Sequence, residues 1–173
     1  MRRFGVIVAL GALLGMFGGA VTASPALAGR GHKWQVVPEA PFTLPPLFCG
    51  FKVRVAPQAD KRFSKLLKAS DGSMTFLNTG IIKVSFTNLQ TRNTITENVS
   101  GPVKVTVSPD GSAILAARGH TGNILTPANA KRFGLPTVSV TAGALTGSVA
   151  ADGSITSLSL RGHVLVDVCA ALS

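Results

Sequence analysis

From Phe48 to the C-terminus, apolar side chains recur at every second position. In Phe51-Lys52-Val53-Arg54-Val55 the apolar residues take one side and the basic residues the other. Ile82, Val84 and Phe86 alternate with Lys83, Ser85 and Thr87, and Val103, Val105 and Val107 with Lys104 and Thr106. The pattern returns where Val138 and Val140 alternate with Ser139 and Thr141, and Leu158 and Leu160 with Ser157 and Ser159. Successive side chains on a strand point to opposite faces, so this alternation predicts antiparallel strands with one buried face. Asp-Gly-Ser stands between apolar stretches at Asp71, Asp110 and Asp152, and Asp-Gly accepts the positive φ values of tight hairpins. Many short strands joined by hairpins predict an all-β fold, an antiparallel β-barrel or alternatively a β-sandwich.

Two segments depart from the alternation and predict short helices. Asp60 stands where a cap would precede Lys61–Lys68, with Phe63, Leu66 and Leu67 on one face and Lys61, Arg62, Lys65 and Lys68 as a basic patch on the other. Thr126-Pro127 to Phe133-Gly134 combines a capping Thr, a Pro at the first helical position and a Gly past the end. Ahead of the strands, residues 29–47 carry Pro38, Pro41, Pro45 and Pro46. They read as an N-terminal linker without regular pairing, leaving 48–173 as a single β domain.

Residues 1–28 read as a targeting segment. Arg2 and Arg3 precede an apolar run from Phe4 to Val21, and Ala26-Leu27-Ala28 supplies a small-x-small site. A secretory signal peptide cleaved after Ala28 follows from that pattern. The run is broken by five glycines and is short for a bilayer crossing, which needs about 20 apolar residues. Cleavage leaves about 145 residues, the size of one domain, expected outside the cell and without membrane contact. In such a compartment Cys49 and Cys169 are expected to form a disulfide, stabilising by about 4–5 kcal/mol through loop closure if unstrained. It brings the first and last strands together, which favours a closed barrel. One difficulty stands. Cys49 shares the parity of apolar Phe51 and Val53, whereas Cys169 shares that of Arg161, His163 and Asp167. A bulge at Gly162, or a bond beyond the strand ends, would reconcile them.

Charge narrows the partners. The chain has 17 Lys and Arg against 7 Asp and Glu, a net +10, and about +8 once Arg2 and Arg3 are removed. Such a surface favours anionic partners such as wall polymers. Stacking platforms for single-stranded nucleic acid need several aromatics among the basic residues. With no Tyr and one Trp, specific nucleic-acid binding is not expected.

All three histidines occur in Arg-Gly-His, at Arg30-Gly31-His32, Arg118-Gly119-His120 and Arg161-Gly162-His163. The last two follow Asp-Gly-Ser turns at nearly equal distance, as two copies of one hairpin unit would. Gly119 and Gly162 then mark bulges or close strand approaches, with Arg and His in solvent. The alternative is an anion or metal site shared by His120 and His163, although two histidines without a placed carboxylate or thiol make a weak metal signature. No metal or cofactor is expected. Arg161, His163 and Asp167 share one parity of the last strand and form either a solvated face or a polar cluster in a barrel lumen. Glu97 shares the parity of Ile95 and Val99 and is a candidate inward carboxylate. Nucleophile elbows, phosphate loops and His-Glu-x-x-His are missing from the sequence, so a catalytic role ranks last.

Phe86-Thr87-Asn88, Asn98-Val99-Ser100-Gly101-Pro102, the Asp-Gly-Ser turn and Val166-Asp167-Val168-Cys169-Ala170 resemble stretches of small secreted actinobacterial proteins of unassigned function. The resemblance spans residues 48–172 and implies a small β-barrel, with no activity or catalytic residues attached. Three readings follow: a non-catalytic extracellular or cell-wall-associated binding module, a barrel carrying a small apolar ligand, and, last, a secreted enzyme.

Overall fold

The computed structural model describes residues 34–36 and 39–173. The signal segment, its cleavage site and Arg30-Gly31-His32 lie outside the described residues. Among these residues nine strands form one antiparallel sheet. They are β1 (Gln35–Val36), β2 (Phe42–Leu44), β3 (Val53–Lys68), β4 (Met74–Asn88), β5 (Thr94–Asn98), β6 (Val103–Val107), β7 (Ala113–Ile124), β8 (Val138–Val149) and β9 (Ile155–Asp167). Helix α1 (Pro127–Phe133) joins β7 to β8, and α2 (Val168–Ala171) follows β9. Along the sheet the order is β1-β3-β4-β6-β7-β8-β9, with β2 also on β3 and β5 also on β4. The all-β expectation holds, and the predicted alternating runs lie in strands, except that Phe51 and Lys52 stand just before β3. The ladder is not closed. Among the described strands β9 pairs with β8 alone, and the ends are tied covalently instead.

Residues 61–68 are the tail of β3 and not a helix. Their backbone pairs with Met74–Ile81, within an uninterrupted register from Ala59↔Lys83 to Lys68↔Met74. The Asp71-Gly72-Ser73 turn sets that register, since Asp71 accepts a hydrogen bond from the Ser73 N–H at 2.8 Å. Asp60 caps no helix. The linker expectation is corrected too, because β1 and β2 pair with β3. Pro41 and Pro45 bracket β2 rather than interrupt it, which is where a residue without an N–H is tolerated. Helix α1 matches its signals: Thr126 Oγ1 accepts from the Asn129 N–H, and Gly134 ends the helix in the left-handed conformation at φ 65°.

A row of glycines crosses the sheet and decides its shape. Gly119 pairs with Gly143, and Gly143 pairs with Gly162. Gly101 joins from the β6 side, its N–H donating to the His120 carbonyl while the Arg118 N–H donates to Pro102. On β4, Gly80 lies opposite Arg62. The core is divided at this row. Ile82, Val84, Phe86, Ile124, Val138, Val140 and Val168 pack on one side of it, and Val103, Val105, Ala113, Leu115, Ala117, Leu145 and Val149 on the other.

The strands bend at the row. Ile155 and the end of β7 would stand about 40 Å apart along straight strands, at about 3.3 Å per residue. Yet Ile155 shares a buried cluster with Leu125 and Ala130, and the Arg132 guanidinium of α1 donates to the Ile155 carbonyl at 2.9 Å. Helix α1, about 10 Å long, cannot span that gap unless the strands fold over.

The disulfide joins Cys49, in the turn before β3, to Cys169 in α2, with Cα atoms 5.1 Å apart. Both cysteines lie beyond the strand ends, so their opposite parities do not conflict. Thr137 Oγ1 donates to the Phe48 carbonyl at 2.6 Å, and the buried Asn88 amide donates to the Leu172 carbonyl at 3.0 Å. With Val168 and Leu172 fully buried, these contacts close the end of the sheet.

Candidate functional site

The two described Arg-Gly-His units stand side by side across β8. Arg118 and Arg161 both pair with Ala144, and His120 and His163 both pair with Ala142. Directly opposed residues project from the same face. An arginine row and a histidine row therefore border the glycine row on its two sides, each spanning three strands with a single methyl between the long side chains. Arg118, His120, Arg161 and His163 are all exposed. Gly162 does sit at a close strand approach, where an added Cβ would overlap the Ala142 carbonyl oxygen, whereas Gly119 has a positive φ of 76° and an added Cβ there would meet only the Gly101 Cα at ordinary contact distance. The hairpin repetition seen in the sequence is what brings the two units together, since β7 and β9 both pair with β8.

The other candidates do not join them. Asp167 caps α2, its carboxylate accepting from the Ala170 N–H at 3.1 Å. It therefore does not form a lumen cluster with Arg161 and His163, which face solvent. Glu97 sits on β5 opposite the buried Val84 and is half-buried. The basic patch is dispersed, because strand alternation sends Lys61 and Lys65 to one face and Arg62 and Lys68 to the other. Among the described residues, no three His, Cys, Asp or Glu side chains converge as a metal site would require.

Arg62 is buried instead. Its Nε and Nη2 donate to Asp60 at 2.9 and 2.8 Å, and Nη2 lies 3.0 Å from Glu39 Oε2. Asp60 also accepts from the backbone N–H groups of Glu39 and Arg62. Burial pushes the Asp60 carboxyl up, but the Arg62 guanidinium and these N–H groups outweigh burial and hold it below the usual carboxylate range. Nothing in the sequence signalled this cluster, since Glu39 lies in the proline-rich stretch and Arg62 in the supposed helix. A group whose folded pKa is depressed contributes stability that is complete above its unfolded pKa, about 3.9 for Asp, and lost as pH falls through the lower folded value. Asp60→Asn is accordingly expected to lower stability by about 3–5 kcal/mol at neutral pH by leaving Arg62 partly unpaired, and to flatten the acid limb of stability against pH. Denaturant melts at about pH 3 and pH 7 check this, and parallel pH dependence in variant and wild type would refute it.

Beside Arg62, on the inner side of the bend, Asn78, Ser100, Thr121 and Asn123 line a cavity with Leu115 and Leu145, of ≈ 40 Å³. That is room for a few waters, whereas pockets for organic ligands measure about 300–1,000 Å³. No helix among the described residues is long and apolar enough to cross a membrane. No family model, curated protein or solved structure matches the chain.

Proposed function

We propose that the protein is a secreted, non-catalytic binding module of the cell exterior that holds an anionic polymer against its paired Arg-Gly-His units. The observation that carries this reading is the register placing Arg118 with Arg161, and His120 with His163, across β8. Two arginines on strands two interstrand spacings apart, roughly 10 Å between their backbones, suit successive anionic groups of an extended chain. Arg is the side chain of choice for phosphate and carboxylate oxygens. The disulfide between Cys49 and Cys169 and the resemblance to small secreted actinobacterial proteins support export, and the net charge of about +8 left after Arg2 and Arg3 are removed from the chain's +10 supports attraction to a polyanion.

The test is binding to inorganic polyphosphate, with neutral dextran as control. Arg118→Gln with Arg161→Gln is expected to weaken polyphosphate binding about tenfold or more for each arginine and to reduce its salt dependence. Unchanged affinity in that variant, or equal binding to dextran, would sink the proposal.

A further inference from the structure

On the outward side of β1, β3, β4 and β6, the register assembles a patch that is both apolar and cationic. Val36 pairs with Phe63, Lys61 pairs with Ile81, and Lys65 pairs with Leu77, which in turn pairs with Lys104. Opposed residues share a face, so these rows adjoin one another. Val36 is 63% exposed, Ile81 54% and Phe63 42%. Trp34, just before β1, is 48% exposed and lies under Lys65, whose Nζ is 6.0 Å from the ring centroid. Lys61, Lys83 and Lys104 are exposed around the patch. No carboxylate falls within these rows, since Glu39 and Asp60 are engaged with Arg62.

Scattered exposed apolar residues are ordinary, but adjacent ones ringed by a single sign of charge mark an interaction surface. We infer that this face docks onto an anionic lipid bilayer. The composition selects the partner. Tryptophan is enriched where a protein meets the bilayer interface, lysines are drawn to anionic headgroups, and the branched side chains have an apolar layer to enter. A second copy of the chain would set the four lysines against each other. The inference is independent of the polyanion site and departs from the expectation of no membrane contact after cleavage.

Trp34 is the only tryptophan and reports directly. With vesicles containing phosphatidylglycerol its emission is expected to shift to the blue and the protein to co-sediment; with pure phosphatidylcholine neither should occur. The triple variant Lys61→Gln, Lys83→Gln, Lys104→Gln is expected to lose roughly a hundredfold in vesicle affinity, about fivefold per lysine. Val36→Ser and Ile81→Ser, both at exposed sites, should weaken binding while leaving the thermal melt in place. Arg118→Gln with Arg161→Gln should bind vesicles as the wild type does, so the two sites fail or succeed separately. An unshifted Trp34, equal binding to both vesicle types, burial of Trp34 in a dimer without lipid, or a Trp34 response to oligo-dT in place of vesicles would each overturn the inference.

Discussion

Gly162→Ala is expected to lower stability by at least about 3 kcal/mol, the upper range for overpacking against a rigid neighbour. The Cβ it adds would overlap the Ala142 carbonyl oxygen and crowd the Gly143 Cα. Both are backbone atoms of the paired strand, so no side-chain rotation relieves the contact. Gly143→Ala should behave alike, because its Cβ would overlap the Arg161 carbonyl oxygen and its φ of 127° is one that L side chains rarely adopt. Gly134→Ala is the control. It keeps a left-handed glycine, at φ 65°, but an added Cβ there has nothing within 4 Å. The expected cost is about 1–2 kcal/mol, that of the left-handed conformation alone. If Gly162→Ala cost no more than Gly134→Ala in denaturant melts, close strand approach at the bend would not be what the row of glycines provides. A natural domain holds about 5–15 kcal/mol in total, so either substitution should remove a large share of it.

Features that depend on neighbours in sequence were legible in advance. Alternation in Val103–Val107 needs only one strand with one buried face. The Asp-Gly-Ser turns are local, and so is α1, whose Thr126, Pro127 and Gly134 each meet a requirement of the helix ends. Where two periods competed, the nearest residues misled. Phe63, Leu66 and Leu67 have helical spacing, but fifteen residues of β4 offer β3 a complete set of backbone partners, and strand geometry prevails. That one change carries Arg62 from a supposed surface patch into a buried ion cluster.

The candidate site was half visible. The Arg-Gly-His units could be seen to repeat, and Gly162 to suit close strand approach. That Ala142-Gly143-Ala144 would lie between them could not be seen, because strand pairing is settled by the whole meander. The same holds for the outward patch, where Val36, Phe63, Ile81 and Lys104 come from four separate strands.

Reduction of the Cys49–Cys169 disulfide is expected to lower stability by about 4–5 kcal/mol through the freed loop. The bond spans 120 residues of sequence, so in the unfolded chain it removes the freedom of nearly the entire β domain. For a protein of this size each kcal/mol moves the melting temperature by about 2–4 °C, so the melt should fall by about 8–20 °C. The native contacts at this end do not all depend on the bond. The Asn88 amide still reaches the Leu172 carbonyl, and Thr137 still holds the Phe48 carbonyl. The reduced protein is therefore expected to stay folded in the absence of denaturant. Two measurements decide the matter. Thiols counted in unfolded, unreduced protein should be close to zero, and melts with and without reductant should separate while converging for Cys49→Ser with Cys169→Ser. Two free thiols, or melts that coincide, would mean that α2 is held at the end of the sheet by packing of Val168 and Leu172 alone, and that the open ladder between β9 and β3 has no covalent tie.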